Sequence, residues 1–273
     1  MGLIISLIRR AVLINKVRKI DTAEKYFDYV DSCKYEESPL SVGDIGKLKE
    51  TSYKNIFQHI GEYDELLEKY NLKQVAGNGN DFEKAVAVMQ WLTDNTMYNG
   101  QQLHFLPDDT IKILDFSFGK PFKYAINCRD KAIVLTDLLI AIGIRAYPIA
   151  LVDEKRWGNH FVVHVYCKEC NKWAMLDPSF NACFTDESGK MLNVYELRNL
   201  FLENKMPIIK GYNFNGTEKC KNNYINYFIK QCLTNISTWQ DNSMDCRIEP
   251  RKWSKKKSFD YKLPPLEEIQ QVN

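Results

Sequence analysis

The stretch Cys128–Ala141, CRDKAIVLTDLLIA, constrains the fold more than any other part of the chain. A polar turn gives way there to a long apolar helix that ends at Gly143. A helix this apolar must be packed inside something. The residues that follow supply it, because the period of the sequence changes. Arg145–Leu151, Phe161–Tyr166 and Lys172–Leu176 read as strands, the last two separated by Cys167-Lys-Glu-Cys-Asn171. The expected class is therefore α+β, a central helix packed on a small antiparallel sheet.

The rest of the chain reads around that core. Phe82, Ala85, Val86, Met89 and Leu92 repeat at helical spacing, giving a helix capped by Asp81 and running to about Thr96. Gly77-Asn-Gly-Asn80 is a loop, and before it a helix is expected over Lys49–Tyr70, interrupted near Gly61. Residues 99–121 read as a long loop with one short ordered piece at Ile111–Phe116. A further helix is expected at Val194–Glu203, and strand in the second half of Tyr224–Trp239. The end of the chain, with its Arg251–Lys257 basic run and Pro264-Pro265, reads as a surface arm. The expected organisation is a helical extension over residues 1–75, packed on one domain over 76–273. The motif-bearing core of that domain is 80–180, and a C-terminal extension follows.

Composition narrows the class of function. A net charge of +2, from 37 basic and 35 acidic residues, neither demands nor excludes nucleic acid and offers no field for steering, and no nucleic-acid partner is expected. Eight cysteines without framework spacing read as reduced thiols in a cytoplasmic setting. The opening MGLIISLIRRAVLINKVRKI is broken by Arg9-Arg10, a poor signal peptide and too short to span a bilayer. It is read as a helix docked on the domain, with a membrane-surface helix as the second reading.

Cys128 stands at the start of the apolar helix, where unpaired N–H groups and the helix dipole favour a thiolate and can hold an oxyanion. A base is needed beside it. The chain has four histidines, His59, His104, His160 and His164. His160 and His164 lie four apart on one strand and share a face. If the strands after Phe161 and Lys172 form a hairpin, Asp177 returns beside His160 rather than His164. Asp177 could then hold the His160 imidazole in the tautomer that faces the thiol.

These residues also carry a resemblance. Asn127-Cys-Arg-Asp-Lys-Ala132 is similar to the Gly-x-Cys-x-x-x-Ala helix start of the transglutaminase-like superfamily of papain-like cysteine enzymes. Leu138–Ile144 resembles its helix exit, His160-Phe-Val-Val-His-Val-Tyr166 its His-x-Trp-x-Glu-Val-Tyr strand, and Trp173-Ala-Met-Leu-Asp-Pro178 its Trp-x-x-Leu-Asp-Pro. The resemblance covers roughly residues 80–180. It implies Cys128 as nucleophile, His160 as base and Asp177 as its orienting partner. Ile126 stands at the usual glycine, Val162 at the usual tryptophan, His164 at the usual glutamate and Tyr147 where many members have arginine.

The implied activity is thiol-dependent hydrolysis of a peptide or protein amide through an acyl-enzyme, as in a cysteine peptidase or amidase. The alternatives are an amine-donor transglutaminase, a protein-glycan amidase, or an inactive module that binds a peptide or protein. Asn127, Tyr124, Trp91, Tyr98 and His164 are candidates for the second oxyanion donor or for support of the site, His164 being equally readable as a packed histidine. No cofactor is expected. Cys167 and Cys170 have the spacing of half a zinc site, but the other half is missing, so a hairpin turn is the preferred reading. Lys255–Lys257 reads as a solvated face, and Asn215 and Asn235 fit a glycosylation pattern without other signs of a secretory route.

Overall fold

A computed structural model describes residues 63–100, 110–118, 125–153, 158–210, 224–229, 232–233 and 235–238. The expectations for the N-terminal helix, His59, His104, Tyr124, Asn215 and the basic C-terminal arm lie outside these residues. Helices α1 (Asp64–Lys69), α2 (Leu72–Ala76), α3 (Asp81–Asn95), α4 (Thr110–Ser117) and α5 (Cys128–Ala141) precede the first strand. Strands β1 (Ala146–Asp153), β2 (Gly158–Cys167), β3 (Lys172–Asp177) and β4 (Ala182–Thr185) follow in sequence. Helix α6 (Val194–Leu202), β5 (Ile208–Lys210), a π-helical turn (Tyr224–Ile229) and β6 (Asn235–Thr238) complete the described elements.

The sheet is antiparallel throughout, in the order β5-β4-β3-β2-β1-β6. Its strands are not half-buried ribbons. Val162 to Cys167 on β2 and all of β4 are buried without alternation, so both faces are covered. Helix α5 lies on β1 and β2, and α3 on β2, β3 and α5. Every residue of α5 except Arg129 is buried, which makes it the central element of the core. Truncating one of its leucines to alanine is expected to cost about 2–5 kcal/mol. The buried Asp137 carboxylate on α5 is satisfied by Thr110 Oγ1 at 2.6 Å and Tyr63 OH at 3.4 Å, which ties α4 and the segment before α1 to the centre.

The expected α+β class is present, a helical layer packed on a small antiparallel sheet. One local expectation needs correction, and two features come in addition to those expected. Asn80, not Asp81, caps α3: its side chain accepts the Glu83 N–H while Glu83 accepts the Asn80 N–H. Asp81 is the first helical residue and instead accepts the Lys168 N–H. The helix expected up to Tyr70 gives way to a second short one, because Asn71 takes a left-handed conformation (φ 48°) between α1 and α2. Strands β4 and β5 have no counterpart in the sequence reading, each being only three or four residues long. Among the described residues no helix is long and apolar enough to cross a membrane.

Candidate active site

Two local devices set the start of α5. Asn127 is extended, and its Oδ1 accepts the Asp130 N–H at 2.9 Å while the Asp130 carboxylate accepts the Asn127 N–H at 3.4 Å. Just before it, Ile126 donates to Met97 O and accepts from Asn99 N, both at 3.0 Å, in a short parallel bridge. Cys128 is thus the first helical residue, held from both sides and 8% exposed. Its N–H lies outside the i→i−4 ladder, at the positive end of the helix.

The β2–β3 hairpin brings the other two candidates together. Leu176 lies opposite Val163, which returns Asp177 toward the start of β2. His160 Nε2 is 2.6 Å from Asp177 Oδ2, and both side chains are fully buried. The carboxylate fixes the tautomer: Nε2 carries the proton that is donated to it. Burial is the largest influence on the ring and opposes its charge. The Asp177 carboxylate, by charge and hydrogen bond, and then Cys128, by hydrogen bond and charge, together outweigh burial and raise the His160 pKa from 6.5 to about 9.

Asp177 has partners that the sequence reading did not find. Tyr224 OH donates to the same Oδ2 at 2.7 Å, and the Ser179 N–H donates to Oδ1 at 2.9 Å. Tyr224 is fully buried and stands on the π-helical turn, 47 residues after Asp177. No local pattern links a tyrosine at that distance to the site. Phe180 packs between them, its ring 5.8 Å from His160 and 4.8 Å from Tyr224. Lys131, one helical turn after Cys128, is also fully buried, with Nζ 3.3 Å from the Thr96 carbonyl.

The remaining candidates separate. Tyr98 packs edge-on against Phe180 at 5.1 Å, one ring away from His160. Trp91 stands in an aromatic cluster with Tyr70 at 5.6 Å and Phe118 at 6.2 Å. The Asn127 side-chain oxygen Oδ1 is used as the helix cap. His164 has both ring nitrogens engaged: Nε2 accepts the Val194 N–H at 3.0 Å, and Nδ1 lies 2.9 Å from Tyr147 OH. Nε2 as acceptor carries no proton, so Nδ1–H donates to the tyrosine oxygen and the ring is neutral. Burial pushes its pKa down to about 3. Tyr147 and His164, two of the departures from the motif pattern, are therefore each other's partners. They pack with Trp173 and carry a bond from β2 to the first turn of α6.

Cys167 and Cys170 flank a tight hairpin turn closed by Asn171 with φ 46°. Cys167 is buried and its thiol donates to Glu169 at 3.5 Å, while Cys170 is exposed. Burial, with hydrogen bonding to Cys170, pushes the Cys167 thiol up to about 12. Glu169 accepts the Asp81 N–H at 3.1 Å, so the turn is clamped to the start of α3. Among the described residues no group of three or more metal-ligating side chains comes together there or elsewhere.

The site thus combines a buried cysteine at the head of the central helix with a histidine–carboxylate pair on the antiparallel sheet. Residues 68–178 match the family model of the transglutaminase-like superfamily. Comparison with curated proteins and with solved structures returns no match. The matched segment begins within α1 and ends just after Asp177. Tyr224 therefore reaches the site from outside it.

Proposed function

We propose that the protein is a cysteine amide hydrolase, a peptidase or amidase, acting on a peptide or protein with Cys128 as nucleophile, His160 as proton carrier and Asp177 as its orienting partner. The observation that carries this reading is the 2.6 Å His160–Asp177 bond, buried, on a ring that Cys128 also acts upon. The Cys128 thiolate attacks the amide carbonyl carbon, forming the S–C bond. The oxyanion is met by the N–H groups at the start of α5. His160 delivers its proton to the leaving nitrogen as the C–N bond breaks, giving a thioester. Water then loses a proton to His160 and attacks the thioester. The S–C bond breaks, and the acid leaves with thiolate and imidazolium restored. An amine in place of water would make this a transamidation.

The unit that performs this chemistry extends past the matched segment on its C-terminal side. Residues 64–76 pack on α5 and α3, and β6 and Tyr224 join the sheet and the carboxylate from the C-terminal side.

The test is iodoacetamide labelling of Cys128 across pH, read by mass spectrometry, in the full chain, in His160→Ala and in Asp177→Asn. Rapid labelling at neutral pH that is lost in H160A and reduced in D177N supports the reading and justifies a screen of peptide amides. Labelling only at alkaline pH, unaffected by either substitution, would sink it and leave a peptide-binding module as the better account.

A further inference from the structure

Lys131 is a fully buried lysine in the middle of a core, one helical turn from the nucleophile. Its ammonium donates to the Thr96 carbonyl at 3.3 Å. A neutral carbonyl is a poor reason to keep a charge away from water. The charges that act on it are carboxylates of two other elements, Asp177 on β3 and Asp94 on α3. Asp177 is the same group that holds His160.

A charge count shows what this arrangement supplies. A working ion pair at this site places a negative sulfur and a positive imidazole side by side, and Asp177 adds a second negative charge. Cysteine, histidine and aspartate alone would then form a buried anion, which disfavours the thiolate. We infer that Lys131 is a positioning charge of the Cys128 site: its ammonium offsets the Asp177 carboxylate, so that thiolate, imidazolium, carboxylate and ammonium form a neutral buried set. Burial lowers the Lys131 pKa from 10.5 to about 7 against the pull of Asp177 and Asp94, so this charge is present below neutral pH and is lost above it. The inference rests on the function proposed above and extends it, because it names a residue that acts through the charges of the other three.

The experiment is the pH profile of Cys128 alkylation by iodoacetamide, a neutral reagent, in the full-length wild type, H160A, Lys131→Met and Lys131→Arg. Methionine matches the length of lysine without its charge. Lys131→Gln serves as a second neutral variant, so that one folded neutral protein suffices, with folding checked by thermal unfolding. The expected result is that the neutral variants move the profile upward by about one pH unit, a tenfold slower labelling on its acid limb, while K131R stays near wild type. A role in packing alone predicts no such displacement. Superimposed profiles for wild type and a folded neutral variant overturn the inference, as does an equal displacement in K131R. Failure of the underlying reading looks different: wild-type labelling is then insensitive to H160A, whatever Lys131 does.

Discussion

His164 offers a test of the fold that needs no substrate. Its ring is buried and neutral, accepts the Val194 N–H and is held by Tyr147. Its pKa is about 3 in the folded protein against an ordinary value of 6.5. A depressed folded pKa means that the unfolded chain binds the proton first. Stability from this site is fully present above pH ~6.5 and is lost as pH falls toward 3. At pH 5 most unfolded rings are charged and almost no folded ones are. With ~1.36 kcal/mol per pH unit, the loss between pH 7 and pH 5 is about 2 kcal/mol. His160 has the opposite sign, its stabilisation being lost as pH rises from 6.5 through about 9. The two are separated by comparing wild type with His164→Gln, which keeps an acceptor for Val194 N–H and cannot titrate. Urea unfolding of both proteins at pH 7, 6 and 5 gives the difference directly. H164Q is expected to be the less stable at pH 7 and to recover about 2 kcal/mol relative to wild type by pH 5. Parallel losses in the two proteins would refute a buried neutral His164.

Three further substitutions probe the neighbouring supports. Tyr224→Phe removes one donor from the Asp177 carboxylate and is expected to cost about 2 kcal/mol in urea unfolding while slowing Cys128 labelling; unchanged labelling would assign Tyr224 to packing alone. Asn193→Ala and Asn127→Ala each remove a helix cap, of α6 and α5, and should each cost about 1 kcal/mol. Only N127A should also slow labelling of Cys128, because its cap sits beside the thiol; equal labelling in the two variants would separate the cap from the chemistry.

What could be read from the sequence was what is local. Helix α5, strands β1 to β3 and the return of Asp177 to His160 rather than His164 follow from period and hairpin geometry over fifty residues. The cap of α3 was misplaced by one residue because Asn80 and Asp81 are both good caps, and only Asn80 has Glu83 three residues later. Tyr224 was not legible, since its link to Asp177 is made by tertiary packing. Lys131 lies inside the Asn127–Ala132 motif, but its burial, and the influence of Asp177 on β3 and Asp94 on α3 upon its charge, come from tertiary packing that no helical pattern reveals. The partnership of Tyr147 and His164 is the converse: both departures were visible, and the antiparallel register that places them opposite each other makes them one feature.

The position of β6 has a consequence for how the chain is made. Strands β1 to β4 pair with their neighbours in order as they are synthesised, but among the described residues the outer edge of β1 is paired by β6, with Val152 opposite Asn235. Until those last residues emerge, a nascent chain carries cysteine, histidine and aspartate together with an open strand edge, a ready template for pairing with another copy. Tyr224 arrives in the same late segment. Premature termination between β5 and β6 would therefore yield aggregation-prone chains rather than a smaller version of the same protein.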